Sequence, residues 1–341
     1  VTASRTRLRT RLWGGATVAL LACLGGWLFI TESRPTPRPM SVTGTSGAAA
    51  AVVEPLTFER LADPARTVVR DGGSTVAVLT DGARTALFTG PKRTFAEQAA
   101  TRAKVVTTAW VRLVPQPWTP GAETTPWFKT WFSDARSDTS PDVLEVATQY
   151  VIDAPEERDA KNVRFRGDAS FGPIKSSGTG RKEQSDFYDY LGVPWTFPDA
   201  TAQPDKSRYG AADCSGFIRL VFGYRMGMPL LGTNEPGPGL PRRAYAIAEH
   251  GPGVELVPNT GARATAYGLL QPGDLVFFEV EDDPETLDHA GIYLGLDDGG
   301  HHRFISSRER INGPTLGDVG GTSLLDDGGH YSQSWRAARR L

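Results

Sequence analysis

Helix and strand signals both occur along this 341-residue chain, and together they predict a mixed fold of helices and sheet. Three observations carry that prediction. Two β-prone runs, residues 74–80 and 85–89, flank Asp81-Gly82, which is hairpin chemistry. A helical period follows Cys214, where positions 217, 218, 221 and 224 share one face. Further on, Ala290, Ile292 and Leu294 alternate with Gly291, Tyr293 and Gly295, the two-residue period of a strand.

The N-terminus comes first in the chain. Arg5, Arg7, Arg9 and Arg11 precede an uncharged run over residues 12–30, long enough to cross a bilayer as a helix. Arginines on that flank place it in the cytoplasm, with everything after Glu32 outside. Residues 1–32 therefore read as an arginine-rich cytoplasmic tip and a single-pass membrane anchor. The expected location is the cell membrane, with the rest of the chain extracytoplasmic. A cleaved signal peptide and a lipoprotein are the alternatives. Thr31-Glu32-Ser33-Arg34 offers no small-x-small cleavage site, and the chain stays apolar after the lipobox-like Leu20-Leu21-Ala22-Cys23. Residues 33–54, rich in Pro, Gly and Ala, read as a linker.

Residues 55–139 read as a β-rich module, with 104–114 as a third long strand and no helical period. Trp110, Trp118, Trp127 and Trp131 lie in it. Such rings stack on sugars or fill a small core, and the core reading carries more weight. Residues 140–341 read as a catalytic domain with an N-terminal extension. Ser140-Pro141 suits a helix start, followed by apolar positions 143, 146, 147, 150 and 151 at helical spacing. Residues 153–180 are polar and Gly-rich and show no assignable element.

Charge and composition exclude several functions. With 37 basic and 39 acidic residues there is no electrostatic case for nucleic acid. Cys214, His289, His301 and His302 lack metal-ligand spacing, and Gly90-Pro91-Lys92-Arg93-Thr94 lacks the glycine spacing of a phosphate loop. No metal and no cofactor is expected.

The chemistry gathers around Cys214, the only cysteine outside the N-terminal apolar run. A lone cysteine with a histidine elsewhere is the minimal pattern of a cysteine hydrolase. Asp213 suits a helix N-cap, which puts Cys214 in the first turn, where the helix dipole favours a thiolate. Gln271-Pro272-Gly273-Asp274 is a turn and 275–280 a strand. His289 opens the next strand and suits a general base. Asp297-Asp298-Gly299-Gly300 is a hairpin turn, and 301–307 is the return strand.

Asp213-Cys214-Ser215-Gly216-Phe217, then Pro272-Gly273-Asp274-Leu275-Val276-Phe277-Phe278, then His289-Ala290-Gly291-Ile292-Tyr293-Leu294-Gly295 resembles the NlpC/P60 family of cysteine peptidases. The resemblance covers about residues 186–341. It implies a papain-like fold of class α+β, a Cys-bearing helix packed on an antiparallel sheet. It implies that Cys214 is the nucleophile, His289 the base, and bacterial peptidoglycan stem peptides the substrate, commonly cut at the γ-D-glutamyl bond. Two positions depart from the family pattern. Trp195, in Gly192-Val193-Pro194-Trp195, stands where tyrosine is common and would wall a subsite beside Asp213 and Ser215, the other expected substrate contacts. Ser306 stands where a third catalytic histidine is expected, with His302 as second choice to orient the imidazole. The expected function is a cell-wall cysteine endopeptidase. The alternatives are a weakly active or inactive wall-binding scaffold, and an amide or acyl transferase using the same Cys–His pair.

Overall fold

The structure is a computed structural model and describes residues 55–281 and 286–341. The expected anchor and linker lie outside the described residues. Among the described residues no helix is long and apolar enough to cross a membrane.

The chain begins with an antiparallel meander of five strands, β1 (Thr57–Leu61), β2 (Arg66–Asp71), β3 (Ser74–Thr80), β4 (Thr85–Ala96) and β5 (Lys104–Leu113), paired in sequence order. Asp81-Gly82 turns β3 into β4, with Gly82 at φ 81°, a conformation glycine adopts without strain. A helix not expected from the sequence follows, α1 (Pro126–Ser137), with Pro126 at its first position. Phe128 and Phe132, four residues apart, carry the helical period and are buried against β-strand residues Val69, Leu79 and Phe88. The aromatic residues that make this face also favour strands, so local propensity concealed it. Burying each phenylalanine contributes about 1.5–3 kcal/mol.

The tryptophans serve this core. Trp118 is fully buried and donates to Thr67 Oγ1 at 3.3 Å. Trp110 donates to the Pro91 carbonyl and Trp131 to that of Leu113. Trp127 packs on the same cluster. The indole N–H groups of Trp110, Trp118 and Trp131 are spent inside the fold, which favours the core reading over sugar stacking.

The next helix, α2 (Val143–Thr148), starts later than the sequence suggested. Its N-cap is Asp142, which accepts from Glu145 N at 3.0 Å. The other Asp142 oxygen accepts from Val111 N and Arg93 Nη2, both at 2.6 Å, so the cap also ties α2 to β5. Two short hairpins, β6 (Glu157–Arg158) with β7 (Arg164–Arg166) and β8 (Trp195–Thr196) with β9 (Thr201–Ala202), flank the helix α3 (Phe187–Leu191).

The rest packs helices on one antiparallel sheet. Helix α4 (Cys214–Ile218) runs on through a π-wound stretch, Arg219–Arg225, and α5 (Ala244–His250) follows. The sheet has the order β10-β15-β11-β12-β13-β14, from β10 (Val254–Val257), β11 (Leu275–Phe278), β12 (His289–Leu296), β13 (His302–Arg308), β14 (Gly313–Thr315) and β15 (Trp335–Arg340). A last short helix, α6 (His330–Ser334), leads into β15. Helix α4 packs on β12 and β13 through buried Phe217, Ile218 and Val221, and Tyr224 is half-buried. The predicted helical face is thus the packed one.

The meander and the catalytic sheet share a core. Phe95, Val105 and Val111 lie in one cluster with Phe217, Ile292 and Ile305. The Leu341 carbonyl accepts from Arg84 N and Thr85 N. Arg340 pairs with Asp274 at 2.8 Å and donates to Thr80 Oγ1. Glu97 Oε2 accepts from Thr315 Oγ1 and Leu316 N. The placement of the strands that carry His289 and Ser306 therefore depends on residues of both stretches.

Candidate active site

Cys214 is the first residue of α4, and Asp213 is its N-cap. Asp213 Oδ1 accepts from Gly216 N at 2.8 Å, and Oδ2 from Gln184 N at 2.8 Å. Gly216 is required by contact: a Cβ there would lie 2.3 Å from the Ser185 carbonyl oxygen. That same carbonyl accepts from Asp213 N at 2.8 Å. The helix start is therefore seated directly on the 185–186 backbone. Farther along, Arg219 is fully buried, with Nε 3.0 Å from Asp186 Oδ1 and Nη1 donating to the Leu240 and Pro241 carbonyls. These bonds fix the rotation of α4 and hence the aim of the sulfur.

His289 opens β12, as the sequence predicts. Gly291 follows because β13 comes close: a Cβ there would lie 2.7 Å from the Phe304 ring and 2.9 Å from the Ile305 carbonyl oxygen. The imidazole packs between the rings of Phe278 and Tyr331, with centroids 5.8 and 5.4 Å away.

Cys214 and His289 line one cleft of about 610 Å³, together with Glu183, Asp288, Arg308 and Tyr331. Both are mostly covered, Cys214 at 8% exposure and His289 at 7%. The sulfur lies 3.6 Å from the Asp288 carbonyl oxygen. Burial works against the thiolate-favouring setting expected from the helix start. Burial pushes the Cys214 thiol well above its usual range, and the charges of Asp213 and Glu183 add to it. Burial also pushes His289 down to about 3, helped by the charges of Arg308 and His330. The resting pair is a neutral thiol and a neutral imidazole.

Ser306 is on the strand beside His289, and its Cβ lies 3.2 Å from where a Gly291 Cβ would sit. Its hydroxyl is committed elsewhere: Oγ accepts from Arg308 Nε at 3.0 Å. Among the described residues no hydrogen bond joins Ser306 to His289, and His289 Nε2 is buried without a partner. His302 is farther off the site, stacked on Tyr267 with Nδ1 2.7 Å from the Tyr293 hydroxyl. The orienting role expected of Ser306 or His302 therefore has no hydrogen bond behind it.

The three expected substrate contacts are structural in this fold. Trp195 is not in the cleft; its ring packs edge-on against Phe187 at 5.0 Å, because an indole gains more from that apolar layer than from solvent. Asp213 and Ser215 are buried and covered by Arg242, whose Nη2 is 2.8 Å from Asp213 Oδ2 and whose Nη1 is 2.8 Å from Ser215 Oγ. Burial alone would discharge Asp213, yet Arg242 holds its carboxyl below the usual range.

Sequence reasoning missed Arg308 and Tyr331. Strand alternation could have found Arg308, two residues beyond Ser306 on the same face. Arg308 is buried, with Nη2 2.5 Å from Ser323 Oγ and Nη1 donating to the Gly321 carbonyl. Tyr331 carries no sequence signal; it arrives from α6 at the far end of the chain.

Residues 192–316 match the family model of NlpC/P60. This C-terminal part of the chain belongs to the NlpC/P60 family. The matched stretch holds Cys214, His289 and Ser306, and it ends before Tyr331. Among solved structures, the chain is similar to a lipoprotein-like NLP/P60 family protein from Staphylococcus aureus at 18% identity and a TM-score of 0.26. That match covers 65% of this chain and 54% of the staphylococcal one, so the chain spans about half of that protein's length. It is also similar to an NlpC/P60 family protein from Bacillus cereus at 15% identity and a TM-score of 0.25, covering 84% of this chain and 78% of that one. No curated protein matches the chain. Membership in the NlpC/P60 family points to a cell-wall peptidase-like activity.

Proposed function

We propose that the chain is a cysteine endopeptidase of peptidoglycan stem peptides, tethered by its N-terminal segment to the outer face of a membrane. One observation carries the reading. Cys214, the one cysteine of the described residues, lines the same cleft as His289, and both fall within the stretch that matches the family. In the mechanism, the thiol proton passes to the imidazole as the sulfur attacks the scissile carbonyl. The imidazolium then protonates the leaving amine, and the neutral imidazole activates water against the thioester. Burial keeps the imidazole unprotonated at neutral pH, and the same burial weakens it as an acceptor, so the transfer is uphill in the resting cleft.

Digestion of purified walls of known stem chemistry, with the products weighed, tests this. Wild type should release peptide fragments and Cys214→Ala none. Full release by Cys214→Ala would end the nucleophile assignment. A second reading, a wall-binding scaffold with little turnover, draws on the covered sulfur and the partnerless His289 Nε2. It is favoured if wild type binds walls but is as silent as Cys214→Ala.

A further inference from the structure

We propose that the Tyr331 hydroxyl donates a hydrogen bond to the oxyanion that forms when Cys214 attacks a carbonyl, an inference that rests on the cysteine-hydrolase reading above. Tyr331 lines the cleft with Cys214 and His289 but lies outside the matched family stretch. Its ring is locked on several sides. The Arg308 guanidinium carbon sits 4.2 Å from the ring centroid, and the His289 ring lies 5.4 Å away at 33°. Phe278 and Phe304 meet it edge-on, each at 5.4 Å.

The residue is only 5% exposed, yet among the described residues its hydroxyl has no hydrogen-bond partner. The hydroxyl is not among the fully covered polar atoms, so the exposure left to the residue opens it to the cleft, where a ligand that arrives during turnover can accept from it. The phenol lines the same cleft as Cys214 and Asp288, whose carbonyl oxygen lies 3.6 Å from the sulfur. Burial raises its ionisation above the usual range, so it keeps its proton and remains a donor at neutral pH. The ring cannot swing away, so the donor is held in place before the reaction.

The step balances without a further reactant. The Sγ–C bond forms as the thiol proton moves to His289, and the carbonyl π pair moves onto oxygen. That oxygen accepts from the Tyr331 O–H. Collapse restores the carbonyl, breaks the bond to the leaving group and returns the proton from the imidazolium.

Tyr331→Phe keeps the ring and removes only the donor. Two reactions at Cys214 separate the roles. Acetylation by p-nitrophenyl acetate passes through a tetrahedral oxyanion, whereas alkylation by iodoacetamide does not. In Tyr331→Phe, acetylation should slow on the order of 100-fold. Alkylation should stay within about twofold of wild type, since it needs the thiol but no oxyanion donor. That unchanged alkylation also shows an intact cleft. Unchanged acetylation would overturn the proposal. Equal losses in both reactions would also overturn it, because the phenol would then act on the thiol or the imidazole. If wild-type Cys214 takes no acetyl group while iodoacetamide still labels it, the hydrolase reading itself falls and the inference with it.

Discussion

Replacing Gly216 by alanine puts a single methyl group where the catalytic helix is seated. The new Cβ would sit 2.3 Å from the Ser185 carbonyl oxygen, against an ordinary contact of 3.4 Å or more. About 1 Å must therefore be found. Ser185 cannot retreat freely, because its carbonyl holds Asp213 N and the next residue, Asp186, holds Arg219. Asp213 Oδ1 and the Asp186 Cα, each 3.1 Å from the Cβ, close the other directions. Overpacking of this kind costs about 1–3 kcal/mol. Alanine returns about 1 kcal/mol of helix propensity, so the net loss is about 0–2 kcal/mol. The larger effect is on catalysis. A shift of about 1 Å at the first turn moves the Cys214 sulfur by a similar amount, enough for a loss on the order of 100-fold in rate. Urea denaturation and the initial rate of wall digestion measure the two effects. A Gly216→Ala protein as stable as wild type, with undiminished rate, would show that the 185–186 backbone does not seat the helix.

The remaining predictions concern charge. Arg219→Met should destabilise the fold by roughly 3 kcal/mol in denaturant unfolding, the low end for breaking a buried pair, because Arg242 remains 3.4 Å from Asp186; an unchanged midpoint would refute the pair's role. His289 is held near 3 when folded against 6.5 when unfolded, so between those values the unfolded chain binds more protons and stability falls as pH drops from 6.5 toward 3. His289→Gln should lose less stability than wild type between pH 7 and pH 4.5, and an equal loss would show that the imidazole is not the cause. Alkylation of Cys214 by iodoacetamide should keep accelerating as pH rises through 9, since burial, Asp213 and Glu183 hold the thiol protonated; a plateau below pH 8 would contradict this. Ser306→Ala should cost about 1–3 kcal/mol by stranding the Arg308 Nε, with kcat in wall digestion within a few-fold of wild type. A kcat loss matching that of His289→Ala would return an orienting role to Ser306.

Much of the catalytic frame was legible because it is written in local chemistry. An acidic cap before a small-residue turn predicted the start of α4, period-two alternation predicted β12, and the hairpin turn at 297–300 predicted β13. The Asp81-Gly82 hairpin was legible for the same reason. Helix α1 was not, since its face is built of aromatic residues whose local preference points to strands. Trp195 was misplaced because a motif position fixes the backbone and says nothing of which neighbour the ring prefers; Phe187 and Tyr224 supply that layer here.

The sequence alone pointed to the candidate reacting atoms, one thiol at a helix start and one imidazole at a strand start. Only the tertiary structure decided how those atoms are held. Arg242 covers Asp213 and Ser215, Arg308 engages Ser306, and Tyr331 comes from the far end of the chain to lie on His289. The physical reason is that a pattern along the chain sets the direction of a side chain. Its charge state and its partner depend on what is folded against it from elsewhere, and on how far water is shut out.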